Sequence, residues 1–214
     1  MISTSPRRGF LVGMEGIDAA GKRTQTSLLV AWLRREGVST ATASFPDYST
    51  SIGKEIRGFL RGRKRYSAEV RHMLFAANRW ENRDRIESML AGSKVTVVNR
   101  YTASNLAYGM ANGLDLKWLL GLEAGLPGAD LTLVLDASPT DLYNRRSSRK
   151  DNYERSARMQ EKAREAYRKL ARRFGWVVID SSLSVQSTHG LVASAVAKAL
   201  PSRGLPVRRG GDAR

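Results

Sequence analysis

A glycine-rich segment near the start of the chain has the residues needed to bind phosphate. Residues 16–25 read GIDAAGKRTQ and contain the pattern Gly-x-x-x-x-Gly-Lys. In such a loop the backbone N–H groups surround a phosphate, the following helix adds the positive end of its dipole, and the lysine reaches the outer phosphates. The position after Lys22 usually carries a hydroxyl that binds Mg²⁺, but here it is Arg23. The alternative is a simple turn between a strand and a helix, which would need neither the paired glycines nor the lysine.

Two further segments carry residues suited to a planar, anionic ligand. In MLFAANRWENR at 73–83, Phe75 and Arg79 are four residues apart and share one face of a predicted helix, where a ring stacks and a guanidinium donates. Spacing alone favours the alternative of a core aromatic residue with a surface arginine. NRYTASNLAYG at 99–109 follows a predicted buried strand, so Arg100 is placed to bind a phosphate through two hydrogen bonds. The alternative is an arginine that only caps the sheet.

These motifs need elements that bring them to one place. Short apolar segments alternate with helical ones, which predicts an α/β fold with a parallel sheet covered on both faces. Ligands of such folds bind at the carboxyl ends of the strands, where the motifs lie. The predicted strands are 9–15, 39–45, 94–99, 129–137 and 176–180, and the predicted helices are 22–35, 52–60, 67–90, 102–112, 117–123, 139–146, 154–173 and 184–199.

Composition excludes several classes of site. The chain has 214 residues, enough for one substantial domain, and no cysteine, so disulfides, thiolate metal sites and cysteine nucleophiles are excluded. His72 and His189 lie far apart in the sequence, which leaves little room for a histidine metal site. We see neither an apolar run of membrane-spanning length nor the apolar core of a signal peptide, and expect a cytoplasmic protein that does not bind membranes.

The net charge of +16 raises the possibility of a nucleic-acid-binding protein. Half of the excess lies in residues 145–173, which hold twelve Lys or Arg against four Asp or Glu. These residues form either a solvated basic helix or a surface that meets a polyphosphate. Because charge is the only feature that favours nucleic acid, we expect no such partner.

The motifs together resemble the thymidylate kinase family over about residues 9–199. The matching stretches are EGIDAAGK at 15–22, FPDYSTSIGKEI at 45–56, LFAANRWE at 74–81, NRYTASNLAYG at 99–109, GLPGADLTLVLD at 125–136 and NYE at 152–154. The resemblance implies transfer of the γ-phosphoryl group of ATP to dTMP, giving dTDP and ADP. It also implies a three-layer P-loop NTPase fold with a five-stranded parallel sheet flanked by helices, a mobile lid at about 145–154, and a homodimer.

Carried over residue by residue, the resemblance assigns a site for each nucleotide. Phe75 would stack on thymine, Arg79 would donate to a base carbonyl, and Ser104 and Asn105 would lie near the other edge of the base. Tyr108 would press against the sugar, Asp18 would accept from the 3′-hydroxyl, and Arg100 would hold the monophosphate. The predicted ATP site comprises Gly16, Ile17, Asp18, Ala19, Ala20, Gly21, Lys22, Arg23, Thr24 and, against adenine, Arg145.

Catalysis of phosphoryl transfer rests on positioning and on neutralising charge, and a donated arginine contributes about 10³ to 10⁵ in rate. Some members of the family place that arginine at the position of Ala19, and others place it in the lid. We therefore expect Arg149 or Arg146 to serve, together with Lys22, Arg100 and the lid residue Glu154.

The chain departs from the family pattern at three positions. Arg23 replaces the Mg²⁺-binding hydroxyl, Asn99 replaces an aspartate, and Tyr48 replaces an arginine that grips the dTMP phosphate. We expect Mg²⁺ to be held mainly by ATP phosphates and water, and Tyr48 to remain part of the acceptor site, with Arg100 and Lys54 supplying charge. The first two departures also motivate an alternative function, a nucleotide-binding relative without effective catalysis that acts as a sensor or partner. Selectivity for dTMP over dUMP stays open.

A single kinase domain is expected over residues 1–200. Residues 201–214, PSRGLPVRRGGDAR, lack apolar periodicity and predict a flexible basic tail.

Overall fold

The computed structural model describes residues 9–144 and 153–203, with side chains over 9–142 and 157–201. A five-stranded sheet of order β2-β3-β1-β4-β5 lies at its centre, and every pairing is parallel. The strands are β1 (Phe10–Gly16), β2 (Thr40–Ser44), β3 (Val95–Asn99), β4 (Leu131–Asp136) and β5 (Val177–Asp180). The predicted parallel sheet and its five strands are thereby confirmed.

Helices flank the sheet. They are α1 (Lys22–Arg35), α2 (Ser51–Leu60), α3 (Ala68–Trp80), α4 (Arg83–Gly92), α5 (Thr102–Ala111), α6 (Leu116–Glu123), α7 (Pro139–Asn144), α8 (Tyr153–Phe174) and α9 (Val185–Ala199). Within these ranges α1 packs against α9 and α5 packs against α8. A 3₁₀ helix, Leu200–Arg203, covers the first residues of the predicted tail.

The core explains why the central strands read as continuous apolar runs. Every residue of β1 is buried, because β1 has a strand on each side and helices above and below. Leu29 and Leu33 of α1, one helical turn apart, are fully buried in the main cluster. Burial of each such side chain contributes about 1.5–3 kcal/mol.

The predicted helix over 67–90 is wrong as one element, because the chain turns between α3 and α4. The N–H of Asn82 donates to the carbonyl of Arg79 rather than continuing the α-helical ladder. The buried Asn82 side chain donates a hydrogen bond from Nδ2 to the carbonyl of Asn78 at 2.9 Å. A side chain that competes for a backbone acceptor in this way ends a helix.

The remaining expectations on organisation stay predictions. The lid residues 145–152 and the tail residues 204–214 lie outside the described ranges. None of the helices that the structure describes is long and apolar enough to cross a membrane.

Candidate functional site

The loop between β1 and α1 has the backbone conformation of an anion-binding turn. Gly16 has φ 130°, and a Cβ atom there would lie 2.4 Å from the carbonyl oxygen of Leu135, so only glycine fits. Ala19 and Gly21 are left-handed, at φ 66° and 89°, and no side chain caps the start of α1. The buried Lys22 ammonium folds back over the loop and donates to the carbonyl of Ile17. Amide groups at a helix start, curled around a lysine, form a phosphate-binding site.

Asp18 links this loop to the neighbouring strand and to α8. Its carboxylate pairs with the Arg100 guanidinium. Gln160 of α8 donates to Asp18 Oδ2 at 2.8 Å and accepts from the Asp18 N–H at 3.0 Å. The Gln160 amide oxygen also accepts from the Tyr108 hydroxyl at 2.9 Å. One glutamine therefore joins the first loop, α5 and α8.

Arg100 is placed by an unusual backbone and by a buried carboxylate. Its φ of 58° turns the chain sharply after β3, and its guanidinium lies 5.6 Å from the centre of the Tyr108 ring. Glu15, fully buried at the end of β1, accepts from the Tyr101 N–H at 2.7 Å and from the hydroxyls of Ser104 at 2.5 Å and Tyr167 at 3.1 Å. Burial raises the pKa of Glu15, although these hydrogen bonds and the Arg100 charge oppose the shift. Glu15 thus anchors the segment that carries Arg100.

A cavity of about 360 Å³ opens beside the loop. All eight residues that the sequence places in the acceptor site line it, from four different segments of the chain: Asp18, Tyr48, Phe75, Arg79, Arg100, Ser104, Asn105 and Tyr108. Phe75 is only partly buried and faces this cavity, while Arg79 is 3% exposed, so the alternative of a core ring beside a surface arginine does not hold. Burial raises the pKa of Tyr108 to about 12 and raises that of Tyr48 less, so both hydroxyls are protonated donors at neutral pH.

A chain of hydrogen bonds forms the polar end of the cavity. Arg79 pairs through Nε and Nη2 with Glu123 of α6, with the Nε bond at 2.8 Å. Asn105 donates to the same carboxylate at 2.6 Å and meets His72 Nδ1 at 2.7 Å. Burial lowers the pKa of His72 below its ordinary 6.5, so its ring is neutral at pH 7.

Tyr48 has a charged neighbour that differs from the expected one. The Arg57 guanidinium lies 4.9 Å from the centre of the Tyr48 ring and donates to the Tyr48 carbonyl at 3.1 Å. Lys54, which we expected to help, does not line the cavity.

A second, polar groove runs along residues of α1 and β2. It is lined by Arg23, Asn99, Asp47 and Arg85 together with small polar residues of α1 and β2. Asp47 is paired with Arg85 at 2.8 Å, and the buried Asn99 Oδ1 has no hydrogen-bond partner among the described residues. Thr24 is exposed in the first turn of α1 and is absent from the groove lining.

Part of the basic surplus has a structural partner. Asp136, at the end of β4, accepts from Arg164 at 2.7 Å and from Arg168 at 2.6 Å. These two arginines tie α8 to the sheet rather than extending a free basic face.

The predicted lid arginines Arg145, Arg146 and Arg149 lie outside the described residues. Glu154 lies in the first turn of α8, where the structure describes the backbone alone.

Sequence reasoning missed Glu15, Glu123, His72 and Gln160 as parts of this site. Glu15 carried a signal, since a carboxylate at the end of an apolar strand needs buried donors. Glu123 carried the same signal in the apolar α6. Gln160 carried none, because only folding brings α8 beside the first loop.

The fold and the site define the class of protein. A phosphate-binding loop follows the central strand of a parallel five-stranded sheet, and an arginine pairs with that loop and lines a nucleotide-sized cavity beside it. This arrangement is that of a P-loop nucleoside monophosphate kinase, in which donor and acceptor phosphates meet at the loop.

Comparison with known proteins defines the family. A sequence model of thymidylate kinase matches residues 14–192. The chain is 34% identical to a thymidylate kinase of Homo sapiens over 86% of this chain and 87% of the relative. It is 36% identical to a probable thymidylate kinase of Thermococcus onnurineus over 91% and 100% of the two chains. The solved structure of thymidylate kinase from Candida albicans matches with a TM-score of 0.78 and 26% identity, over 92% of this chain and 94% of that one.

The chain therefore belongs to the thymidylate kinase family. The comparisons confirm the predicted kinase class, and they give no support to the alternative of a nucleotide-binding relative without catalysis.

Proposed function

We propose that this protein transfers the γ-phosphoryl group of ATP to the 5′-phosphate of dTMP, with dTMP in the cavity beside the first loop. The observation that carries the proposal is the meeting of eight acceptor-site residues in that cavity, next to a loop built for phosphate. The cavity volume of about 360 Å³ suits one mononucleotide.

The two nucleotides approach each other at Asp18 and Arg100. Lys22 and the loop amides bind the phosphates of ATP, and Arg100 binds the monophosphate of the acceptor. A phosphate oxygen of dTMP attacks the γ-phosphorus, the bond to the β-phosphate oxygen breaks, and ADP leaves. No strong base is required, because the attacking phosphate oxygen is already ionised. A lid arginine, Arg149 or Arg146, completes the charge neutralisation, Glu154 belongs to the same lid, and Arg145 lies against adenine.

The test of this function is ADP release from ATP and Mg²⁺ with dTMP, dUMP, dCMP and dGMP as acceptors. We expect dTMP to give the highest kcat/KM. Arg100→Met should abolish most of the activity, whereas Arg35→Met, at the exposed end of α1, should retain it. Equal rates with all four acceptors, or no activity with any of them, would contradict the assignment.

The residues around the first loop suit a metal held mostly by ATP. No group of three or more histidine or acidic side chains able to hold a metal lies within the described ranges. Asp47 is already paired with an arginine, while Asn99 Oδ1 offers one neutral oxygen. Mg²⁺ commonly keeps several waters and binds through substrate phosphates. When bound, Mg²⁺ would neutralise charge on the ATP phosphates, and Arg23, which lines the groove together with Asn99, adds a fixed positive charge.

Restoring the family pattern tests this arrangement. The double variant Arg23→Thr with Asn99→Asp should shift the Mg²⁺ concentration for half-maximal rate downward, because it adds a hydroxyl and a carboxylate and removes a cation. Arg35→Thr on the far end of α1 is the control. An unchanged Mg²⁺ dependence of the double variant would count against the reasoning.

Tyr48 gives the acceptor phosphate a neutral hydroxyl instead of an arginine. Tyr48→Arg should tighten dTMP binding, measured by calorimetry as a lower dissociation constant, while Tyr48→Phe should weaken it modestly. An arginine variant with the parental constant would show that this position does not face the phosphate.

The predicted homodimer has a candidate surface on α3. Val70, Met73 and Trp80 lie on that helix and are 38%, 45% and 37% exposed, which forms an apolar stripe. Met73→Glu should convert a dimer into a monomer in analytical ultracentrifugation, whereas Leu191→Glu, at 43% exposure on α9, should not. A parent chain that sediments as a monomer would refute the assembly. The cytoplasmic location stays a prediction, which cell fractionation tests.

A further inference from the structure

The cavity has a polar end whose hydrogen-bonding direction is fixed by residues behind it. Glu123 is 8% exposed and does not line the cavity, whereas Arg79 and Asn105 do. Its carboxylate accepts from both of them. A buried carboxylate between two lining side chains sets how each of them faces a ligand.

The Asn105 amide has one orientation in this network. Nδ2 donates to Glu123 at 2.6 Å and to the His72 carbonyl at 3.2 Å, so both of its hydrogens are used. Oδ1 faces His72 Nδ1 at 2.7 Å. Since a carbonyl oxygen accepts two hydrogen bonds, Asn105 meets a ligand as an acceptor only.

The tautomer of His72 follows from its contact with Asn112. Asn112 Nδ2 donates to the carbonyl of Tyr108 at 2.8 Å and lies 3.2 Å from His72 Nε2. Its Oδ1 accepts from Arg71, at 3.3 Å. Nε2 is therefore the acceptor of the neutral ring and Nδ1 carries the proton that binds Asn105.

Arg79 supplies the opposite pattern. Its guanidinium has only donors, and two of them are used on Glu123. The remaining N–H groups can meet a ligand acceptor. The wall of the cavity thus holds a donor and an acceptor, Arg79 and Asn105, on one shared carboxylate.

We propose that Glu123 is a positioning residue for base selection, because it fixes how Arg79 and Asn105 face the cavity. The cavity is then complementary to a pyrimidine that has a ring carbonyl beside a ring N–H. It is not complementary to a pyrimidine that has an amino group beside an unprotonated ring nitrogen. This rests on the proposed function. Thymine and uracil carry the first pattern, and cytosine carries the second. A cytosine base would turn its amino group toward the Arg79 guanidinium and its unprotonated ring nitrogen toward the Asn105 oxygen. Donor would then face donor and acceptor would face acceptor, and a polar pocket discriminates strongly against a ligand that it cannot pair.

The test is the Glu123→Gln variant, assayed with dTMP, dUMP and dCMP. A glutamine amide accepts at one end and donates at the other, so it cannot satisfy both neighbours, and one of them must turn. We expect the ratio of kcat/KM for dTMP over dCMP to fall by about tenfold or more. The ratio for dTMP over dUMP should stay within about twofold of the parent, because both bases share the selected pattern. Glu87→Gln, a surface carboxylate 48% exposed, is the control.

A role confined to stability would lower all three rates together and leave both ratios unchanged, which would overturn the proposal. If Glu123→Gln does not fold, Glu123→Asp keeps the buried charge but is one methylene shorter. That variant should raise KM for dTMP with little change in kcat and lower the dTMP-over-dCMP ratio, and a parental ratio would overturn the proposal equally. A parent chain inactive on dTMP would instead refute the proposed function. A parent that selects dTMP over dCMP, with variants that select it equally well, refutes this inference alone.

Discussion

Replacement of the buried Glu15 separates its hydrogen bonds from its charge. Glu15→Leu removes the acceptors of three donors: the Tyr101 N–H at 2.7 Å and the hydroxyls of Ser104 and Tyr167. Glu15→Gln keeps the shape and one acceptor oxygen. The two variants should therefore differ in stability although each removes the same charge.

The magnitude follows from which donors can find another partner. The Tyr101 N–H is fixed in the backbone, and leaving it unpaired costs about 1–3 kcal/mol. The Ser104 and Tyr167 hydroxyls lie 2.9 Å apart, so they can hydrogen-bond to each other. Loss of their shared acceptor should therefore lower the free energy of unfolding by only about 1 kcal/mol in total. Glu15→Leu should therefore lower the free energy of unfolding by about 2–4 kcal/mol, a large part of the 5–15 kcal/mol typical of a domain.

Glu15→Gln should be nearly neutral. The glutamine oxygen keeps the Tyr101 N–H, and its amide donates to hydroxyls that rotate to accept. Burial raises the pKa of Glu15 above its ordinary 4.5, so stability that is present below pH 4.5 is lost as the pH rises through the raised pKa. The glutamine does not titrate, so at pH 7 it should match or exceed the parent, and the difference should move in favour of the parent toward pH 4.5.

Urea unfolding followed by circular dichroism, at pH 7 and at pH 5, measures these differences. Glu87→Leu, on the surface of α4, is the control and should change stability by less than about 0.5 kcal/mol. Parental stability of Glu15→Leu, or equal destabilisation of both Glu15 variants, would refute the assignment of Glu15 as the anchor of the segment that carries Arg100.

Three other changes test the charge of Asp136, the charge of His72 and the contacts that Gln160 makes from α8. Burial tends to raise the pKa of Asp136, but hydrogen bonds from two α8 arginines hold it below 3.8. Asp136→Asn should therefore lower the free energy of unfolding by about 1–3 kcal/mol in urea at neutral pH. This difference should vanish as the pH falls through the lowered pKa. Burial lowers the pKa of His72 below 6.5, so the unfolded chain takes the proton first, and the His72 contribution to stability is lost as the pH falls. His72→Gln does not titrate, so its free energy of unfolding should rise relative to that of the parent between pH 7 and pH 5. Gln160→Ala breaks three hydrogen bonds among the first loop, α5 and α8, and should raise KM for dTMP by about three- to tenfold in steady-state assays, with Lys162→Ala on the same helix as the unaffected control.

The parts of this protein that the sequence predicted depend on local pattern. The apolar runs of β1, β3 and β4 are long because these strands are buried on both faces, and such runs can be read directly from a sequence. The first loop was equally readable, since Gly16 and Gly21 answer a backbone requirement that other residues meet poorly. Where a side chain competed with the backbone, as Asn82 does at the end of α3, pattern alone predicted one helix in place of two.

The sequence by itself determined the fold class, the phosphate-binding loop and, through family resemblance, the residues that meet in the acceptor cavity. Only the tertiary structure decided which groups hold those residues in place. Glu15 and Glu123 lie behind the residues they hold, and Gln160 stands 142 residues after Asp18 in the chain, so each contact exists only once sheet and helices have packed. A buried charge or amide is tolerated only when its partners arrive from elsewhere in the chain, and that pairing is fixed by packing rather than by sequence spacing.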